Sequence, residues 1–225
     1  MLRLFGSKKH PKGPNWSKAE THCLELSGTR VCFTTPPNNH RKFHFEARPD
    51  KYNIYDDALF SPVEGSDEPA RTMDGGGFQK NWEFRTLFGA RNSLLWGRIG
   101  WVRFLVLVVK DESFGSLLEP RNFLESLNQR IDYQAGPRSG HHISDFSHIR
   151  KEWRIRYLDG VAFAHYANHE RAADGFVDVS QYWQAPLTYK HYLVFSFGRF
   201  IFARNTRLDA VYDDLIERIM SSVRI

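Results

Sequence analysis

The sequence predicts an α+β fold: a single domain built on an antiparallel β-sheet meander flanked by helices and closed by a C-terminal amphipathic helix. Three observations carry this. Phe104-Leu105-Val106-Leu107-Val108-Val109 is a continuous, largely β-branched apolar run, the pattern of a central strand buried on both faces. Around Asp159-Gly160, apolar and polar side chains alternate on both sides of a turn signal, which specifies a hairpin. Leu208, Val211, Tyr212, Leu215, Ile219 and Met220 recur at helical spacing and mark an amphipathic helix.

Taken in order, residues 1–18 hold Gly6, Pro11, Gly13 and Pro14 among lysines and read as a flexible leader, with the α+β domain spanning 19–225. A hairpin turning at Ser27-Gly28 comes next. It sets Leu26 opposite Thr29, Glu25 opposite Arg30, Leu24 opposite Val31 and Cys23 opposite Cys32, pairing opposite charges and apolar groups. Pro36-Pro37 ends its second strand. Residues 46–80, rich in Pro, Asp, Glu, Ser and Gly, read as long irregular loops. Alternation returns at Trp82–Arg85, and the central strand covers about 100–110.

A helix starts near Glu119, with Pro120 in its first turn and Phe123, Leu124, Leu127 and Ile131 on one face. Residues 133–148 read as a polar loop. The Asp159-Gly160 hairpin follows, with Trp153, Ile155 and Tyr157 alternating against Glu152, Arg154 and Arg156. Another strand covers roughly 176–183. The runs 192–197 and 200–204 form either one bent strand or a tight hairpin at Gly198. The last helix is capped by Asn205 or Thr206, with Asp209 three residues after Thr206.

A chain of 225 residues with 41% hydrophobic residues buries a sizeable core. The aromatic share is 15%, on the high side, and an excess of rings serves interfaces as well as cores. The net charge of +5 raises the prospect of an acidic partner, although the charges alternate in sign along much of the chain. The first residues lack the apolar region of a secretion signal, and the longest apolar stretch, 99–109, is interrupted by Gly100 and Arg103. The expectation is a cytoplasmic protein with no membrane partner, in which Cys23 and Cys32 stay reduced, although the hairpin register brings the thiols close enough for a disulfide in an oxidising compartment.

The motifs of chemistry are absent or incomplete. His165 and His169 have helical chelate spacing, but alternation places His165 on a strand, and no Glu follows it as a zinc-protease motif requires. His141, His142 and His148 are surface or loop histidines on the simplest reading. Gly75-Gly76-Gly77 lacks the Gly-Lys-Ser/Thr ending of a phosphate loop, and there is no Gly-x-Ser-x-Gly elbow. No metal, cofactor or catalytic residue is expected. The most suggestive feature is basic-aromatic interleaving, in residues 96–104 and 153–157. On a strand of period two the rings and the arginines fall on opposite faces, one core and one solvated. Arginine faces adjacent in one sheet would receive an acidic protein surface.

The final quarter carries a resemblance. A strand such as Tyr192-Leu193-Val194-Phe195-Ser196-Phe197, then a capped amphipathic helix, then Ser221-Ser222-Val223-Arg224-Ile225 resembles the close of PsbP-like α/β/α sandwich domains. The strand that stops at Pro36-Pro37 is similar to their opening. The resemblance implies an antiparallel sheet flanked by helices and a binding role, as in adaptors linked to type VI secretion effectors. The chain's general character is also similar to that of immunity proteins, which sit on a cognate toxin.

The resulting expectation is a cytosolic protein-binding module, an immunity or adaptor protein that blocks or carries a bacterial toxin or effector. Its aromatic-anchored, arginine-rimmed surface would use Trp96, Arg98, Trp101, Arg154 and Arg156. A nucleic-acid-binding domain using the same residues is the alternative, and an enzyme with a site around His141, His142 and His148 a further one. A homodimer through an edge strand is compatible with the same pattern.

Overall fold

The computed structural model describes residues 11–39, 49–62, 69–74, 77–86, 97–135, 154–171, 177–201 and 207–225. The fold is α+β. A three-stranded sheet holds β1 (Glu20–Leu26), β2 (Thr29–Thr35) and β3 (Lys51–Tyr52) in the order β2-β1-β3, with β3 parallel to β1. The larger, eight-stranded sheet is antiparallel throughout. It comprises β4 (Phe60–Pro62), β5 (Arg71–Met73), β6 (Phe78–Thr86), β7 (Gly97–Lys110), β8 (Arg154–Leu158), β9 (Val161–Arg171), β10 (Val177–Pro186) and β11 (His191–Ile201). Strands β8 to β11 lie side by side in chain order. Beyond β11 the neighbour is β7, whose other edge is shared by β6 and, at its end, β5. The helices are α1 (Pro120–Ala135) and α2 (Arg207–Ser221).

Alternation along β7 and β11 assigns the two faces of this sheet. Val102, Phe104, Val106 and Val108, with Leu193, Phe195 and Phe197 beside them, point to one side. There they pack against α2 and against Leu24, Leu26, Val31 and Phe33 of the hairpin. Phe33 meets the rings of Phe104 and Phe195 edge-on at 5.6 and 5.7 Å. Leu107, Val109, Tyr192 and Val194 point to the other side, where α1 brings Phe123 and Leu127. Each fully buried large apolar side chain contributes about 1.5–3 kcal/mol, so covering both faces makes β7 and β11 the centre of the molecule.

The register predicted from the Ser27-Gly28 turn is the observed one, with Cys23 opposite Cys32. Both turn residues have positive φ, 50° and 100°, the conformation that a two-residue hairpin needs. The thiols, expected to be reduced, are instead joined as a disulfide. Counting outward from the turn makes Cys23–Cys32 a non-hydrogen-bonded pair, the closer kind in an antiparallel ladder, and the two Cα atoms are 4.1 Å apart.

One further expectation needs correction, and one open alternative is decided. Residues 46–80 were expected as irregular loops, yet β3, β4, β5 and the start of β6 fall there; β4 pairs with nearby β5, but β3, β5 and the start of β6 pair with strands about 25 residues or more away, beyond the reach of local composition. The runs on either side of Gly198 belong, as far as Ile201, to the single strand β11, the first of the two alternatives, in unbroken register with β7. Residues 11–18 lie against β6, where Lys12 and Arg85 exchange backbone hydrogen bonds of 2.8 and 3.0 Å. No helix among the described residues is long and apolar enough to cross a membrane.

Candidate functional site

The last strand of the larger sheet, β8, gathers the features that a binding surface needs. Its hairpin with β9 turns at Asp159 and Gly160, whose φ angles of 50° and 79° are both left-handed, tolerated by Asp and free of penalty for Gly. The register then runs Leu158 to Val161, Arg156 to Phe163 and Arg154 to His165. Carried across β10 and β11, the Arg154 row continues through His165, Trp183 and Phe195 to Val106. Arg154 and Arg156 therefore lie on the α2 face.

On that face the Arg156 guanidinium sits 5.4 Å from the centre of the Trp183 ring, and its Nη1 lies 3.3 Å from Oε1 of Glu217 on α2. The His165 ring packs 4.4 Å from Trp183. Burial lowers the His165 pKa; the Gln181 amide opposes this, and the Arg156 and Arg154 charges add to it. Beside this ring on the face stand the exposed guanidinium groups of Arg154 and Arg156 and the Glu217 carboxylate.

On the opposite face of β8, Ile155 is 51% exposed and Tyr157 is 73% exposed. The alternation had suggested that the apolar side of this strand is core. Instead both faces of β8 are open to solvent, with Arg154 and Arg156 exposed as well. The apolar cluster under α1 extends over Ala164 of β9 and stops there, so Ala162, Ile155 and Tyr157 lie beyond its cover. The arginine side is the one approached by α2 and Trp183, and a guanidinium on an alkyl stem suits a half-covered site of that kind.

The other residues expected at the binding surface do not join this patch. Trp101 stacks on Phe200 at 4.1 Å between ring centres, on the α1 face of β7. That is the opposite face from Arg154 and Arg156, and four strand spacings away, about 19 Å in all. Exposed Arg103 shares the Trp101 face. Trp96 and the side chain of Arg98 lie outside the described residues, as do His141, His142 and His148. Ile155 and Tyr157 were singled out only as core, and their exposure had no local signal.

A second cluster closes the end of β7 and β11. Lys110 Nζ is 2.6 Å from Asp57 Oδ1 and 3.4 Å from Glu112 Oε2, and Glu112 also pairs with Lys190. Buried His191 places Nδ1 2.9 Å from Thr188 Oγ1, with the rings of Tyr55 and Phe60 against it. Burial and, next, the Lys110 charge push the His191 pKa down to about 4. Two cations face two carboxylates here, so the cluster is balanced, and it ties the loop before β4 to the sheet.

Among the described residues no group of three or more His, Cys, Asp or Glu side chains is placed to hold a metal ion. No protein-family model matches the chain, and the search of curated proteins finds no similar one.

Proposed function

We propose that the chain is a protein-binding module, an immunity or adaptor protein that covers or carries a toxin or effector. The observation that carries this reading is β8: a terminal strand with two exposed apolar side chains on one face and two exposed arginines on the other. Solvent-facing Tyr and Arg are the side chains that most often anchor protein interfaces. The immunity or adaptor form follows the resemblance of the closing strand and helix to PsbP-like domains. Blocking would be steric, with the partner's site covered by the β8 end of the sheet.

Protein is favoured over nucleic acid because the rings and cations expected to act together, Trp101 with Arg154 and Arg156, do not share a face. Single-stranded nucleic acid is held by rings and cations along one groove. Trp101 and the β8 arginines lie on opposite faces, so these residues do not line one groove.

The test is a pull-down from the native host with the tagged chain, washed at moderate and then high salt, with protein and nucleic acid both identified. One stoichiometric protein that survives both washes is expected, and a toxin-like partner makes the immunity form specific. Nucleic acid lost between the washes, with no protein retained, would overturn the proposal.

A further inference from the structure

The alternation of an antiparallel ladder says more about β8 than its exposure does. A two-residue turn makes Leu158–Val161 a hydrogen-bonded pair, so Arg156–Phe163 and Arg154–His165 are hydrogen-bonded and Tyr157–Ala162 and Ile155–Ala164 are not. The backbone N–H and C=O groups of Ile155 and Tyr157 therefore point outward, away from β9. Among the described residues nothing pairs with them. The strand presents three things at once: an outward row of main-chain donors and acceptors, apolar side chains on one face and guanidinium groups on the other.

We infer that β8 binds its partner by adding a strand, and that the added segment alternates acidic with apolar residues. This rests on the protein-binding reading and specifies its partner. The main-chain groups of Ile155 and Tyr157 supply the ladder that an extended segment completes. An added strand keeps the faces of the sheet, so its side chains alternate between the Arg154/Arg156 side and the Ile155/Tyr157 side. Carboxylates opposite the arginines and aliphatic groups opposite Ile155 and Tyr157 satisfy both.

A second copy of the chain does not fit the same edge. The antiparallel registers that set Ile155 opposite Tyr157, or Ile155 opposite Ile155, bring Arg156 opposite Arg156, or Arg154 opposite Arg156 twice. Like charges directly opposite one another destabilise a sheet. Charges on an edge strand are a means of preventing self-association, and here they favour an acidic segment.

The probes are two capped eight-residue peptides, one of alternating Glu and Val and one of alternating Lys and Val, titrated into the full chain and followed by amide NMR and hydrogen exchange. With the Glu-Val peptide, the Ile155 and Tyr157 amides become protected. The amides of Arg154 and Arg156, already bonded to β9, change little. The Lys-Val peptide binds at least tenfold more weakly, and the double variant Arg154→Glu, Arg156→Glu reverses the preference. A Glu-Val peptide N-methylated at alternate residues does not bind, a control that needs no change in the protein.

Absence of protection at Ile155 and Tyr157 at millimolar peptide overturns the inference. So does equal binding of the two peptides, or protection of these amides by dimerisation of the chain alone. The two proposals fail separately. A host protein retained equally by wild type and by the double variant, with no peptide response, removes the added strand and keeps the binding module. A peptide response with no host protein retained does the opposite.

Discussion

Cys32 and Arg224 exchange both of their backbone hydrogen bonds, at 2.8 Å in each direction. The relationship follows from the disulfide register. As a non-hydrogen-bonded partner of Cys23, Cys32 turns its N–H and C=O away from β1, and Arg224 takes both up. Ser222 Oγ adds a bond from the Thr34 amide at 2.8 Å, and the Ile225 amide donates to Asp159 at 3.1 Å. The segment after α2 thus links the small sheet to the β8–β9 turn.

Arg224→Pro removes the donor to Cys32 and should cost about 1–3 kcal/mol in urea unfolding, by loss of a ladder bond and an unpaired carbonyl. Arg224→Ala keeps the backbone groups and should cost far less. Equal losses for the two substitutions would show that the side chain, not the backbone exchange, holds the segment.

Gly100 lets the Tyr212 hydroxyl reach the Phe200 carbonyl, to which it donates at 3.1 Å. A Cβ at position 100 would stand 2.0 Å from Tyr212 Oη and 2.6 Å from the Phe200 oxygen. Gly100→Ala should cost about 1–3 kcal/mol through overpacking. Tyr212→Phe alone should cost about 1 kcal/mol, the net value of one hydrogen bond. The double variant should lose less than the sum, because one of the two clashes is relieved. A thermal-unfolding cycle showing strict additivity would contradict this contact.

Arg199 is 5% exposed and holds α2 to β11, with Nη2 2.9 Å from Asp209 and Nη1 3.0 Å from Asp213. The pair is asymmetric, since the two carboxylates are half-exposed and the guanidinium is not. Removing both carboxylates (Asp209→Asn with Asp213→Asn) strands a buried cation and should cost about 3–5 kcal/mol. Arg199→Met leaves carboxylates that water can solvate and should cost about 1–3 kcal/mol. Chemical unfolding that ranks the two variants in the opposite order would place the buried charge elsewhere.

What the sequence makes legible here is local. The Ser27-Gly28 turn fixes the Cys23–Cys32 register, the run from Phe104 to Val109 announces a doubly covered strand, and Leu208 to Met220 outlines the face of α2 that is buried. The candidate site is legible only in part. Alternation separates Arg154 and Arg156 from Ile155 and Tyr157, but which side is covered depends on α2, which brings Glu217 to Arg156 across 61 residues. Whether Trp101 shares a face with those arginines depends on the register through β11, β10 and β9, a count that no local pattern contains. The parallel pairing of β1 with β3 is hidden for the same reason.

His191 supplies a pH dependence whose sign can be worked out. Its folded pKa, about 4, lies below the ordinary 6.5, so between these values the unfolded chain binds more protons. Stability therefore rises with pH across this window and is lost as pH falls from about 6.5 toward 4, by at most about 1.4 kcal/mol per pH unit for one group. His22 and His165, also lowered by burial, add slope of the same sign. Asp57 and Glu112 are held below the usual carboxylate range by their hydrogen bonds to Lys110 and Lys190, so their contribution is lost at more acid pH. His191→Asn keeps a hydrogen-bonding group near Thr188 and does not titrate. Urea midpoints measured from pH 4.5 to 8 should rise steeply up to about pH 6.5 for wild type and less steeply for the variant, and the two curves should run parallel above pH 7. Identical slopes below pH 6.5 would mean that His191 takes up its proton in the folded chain without cost.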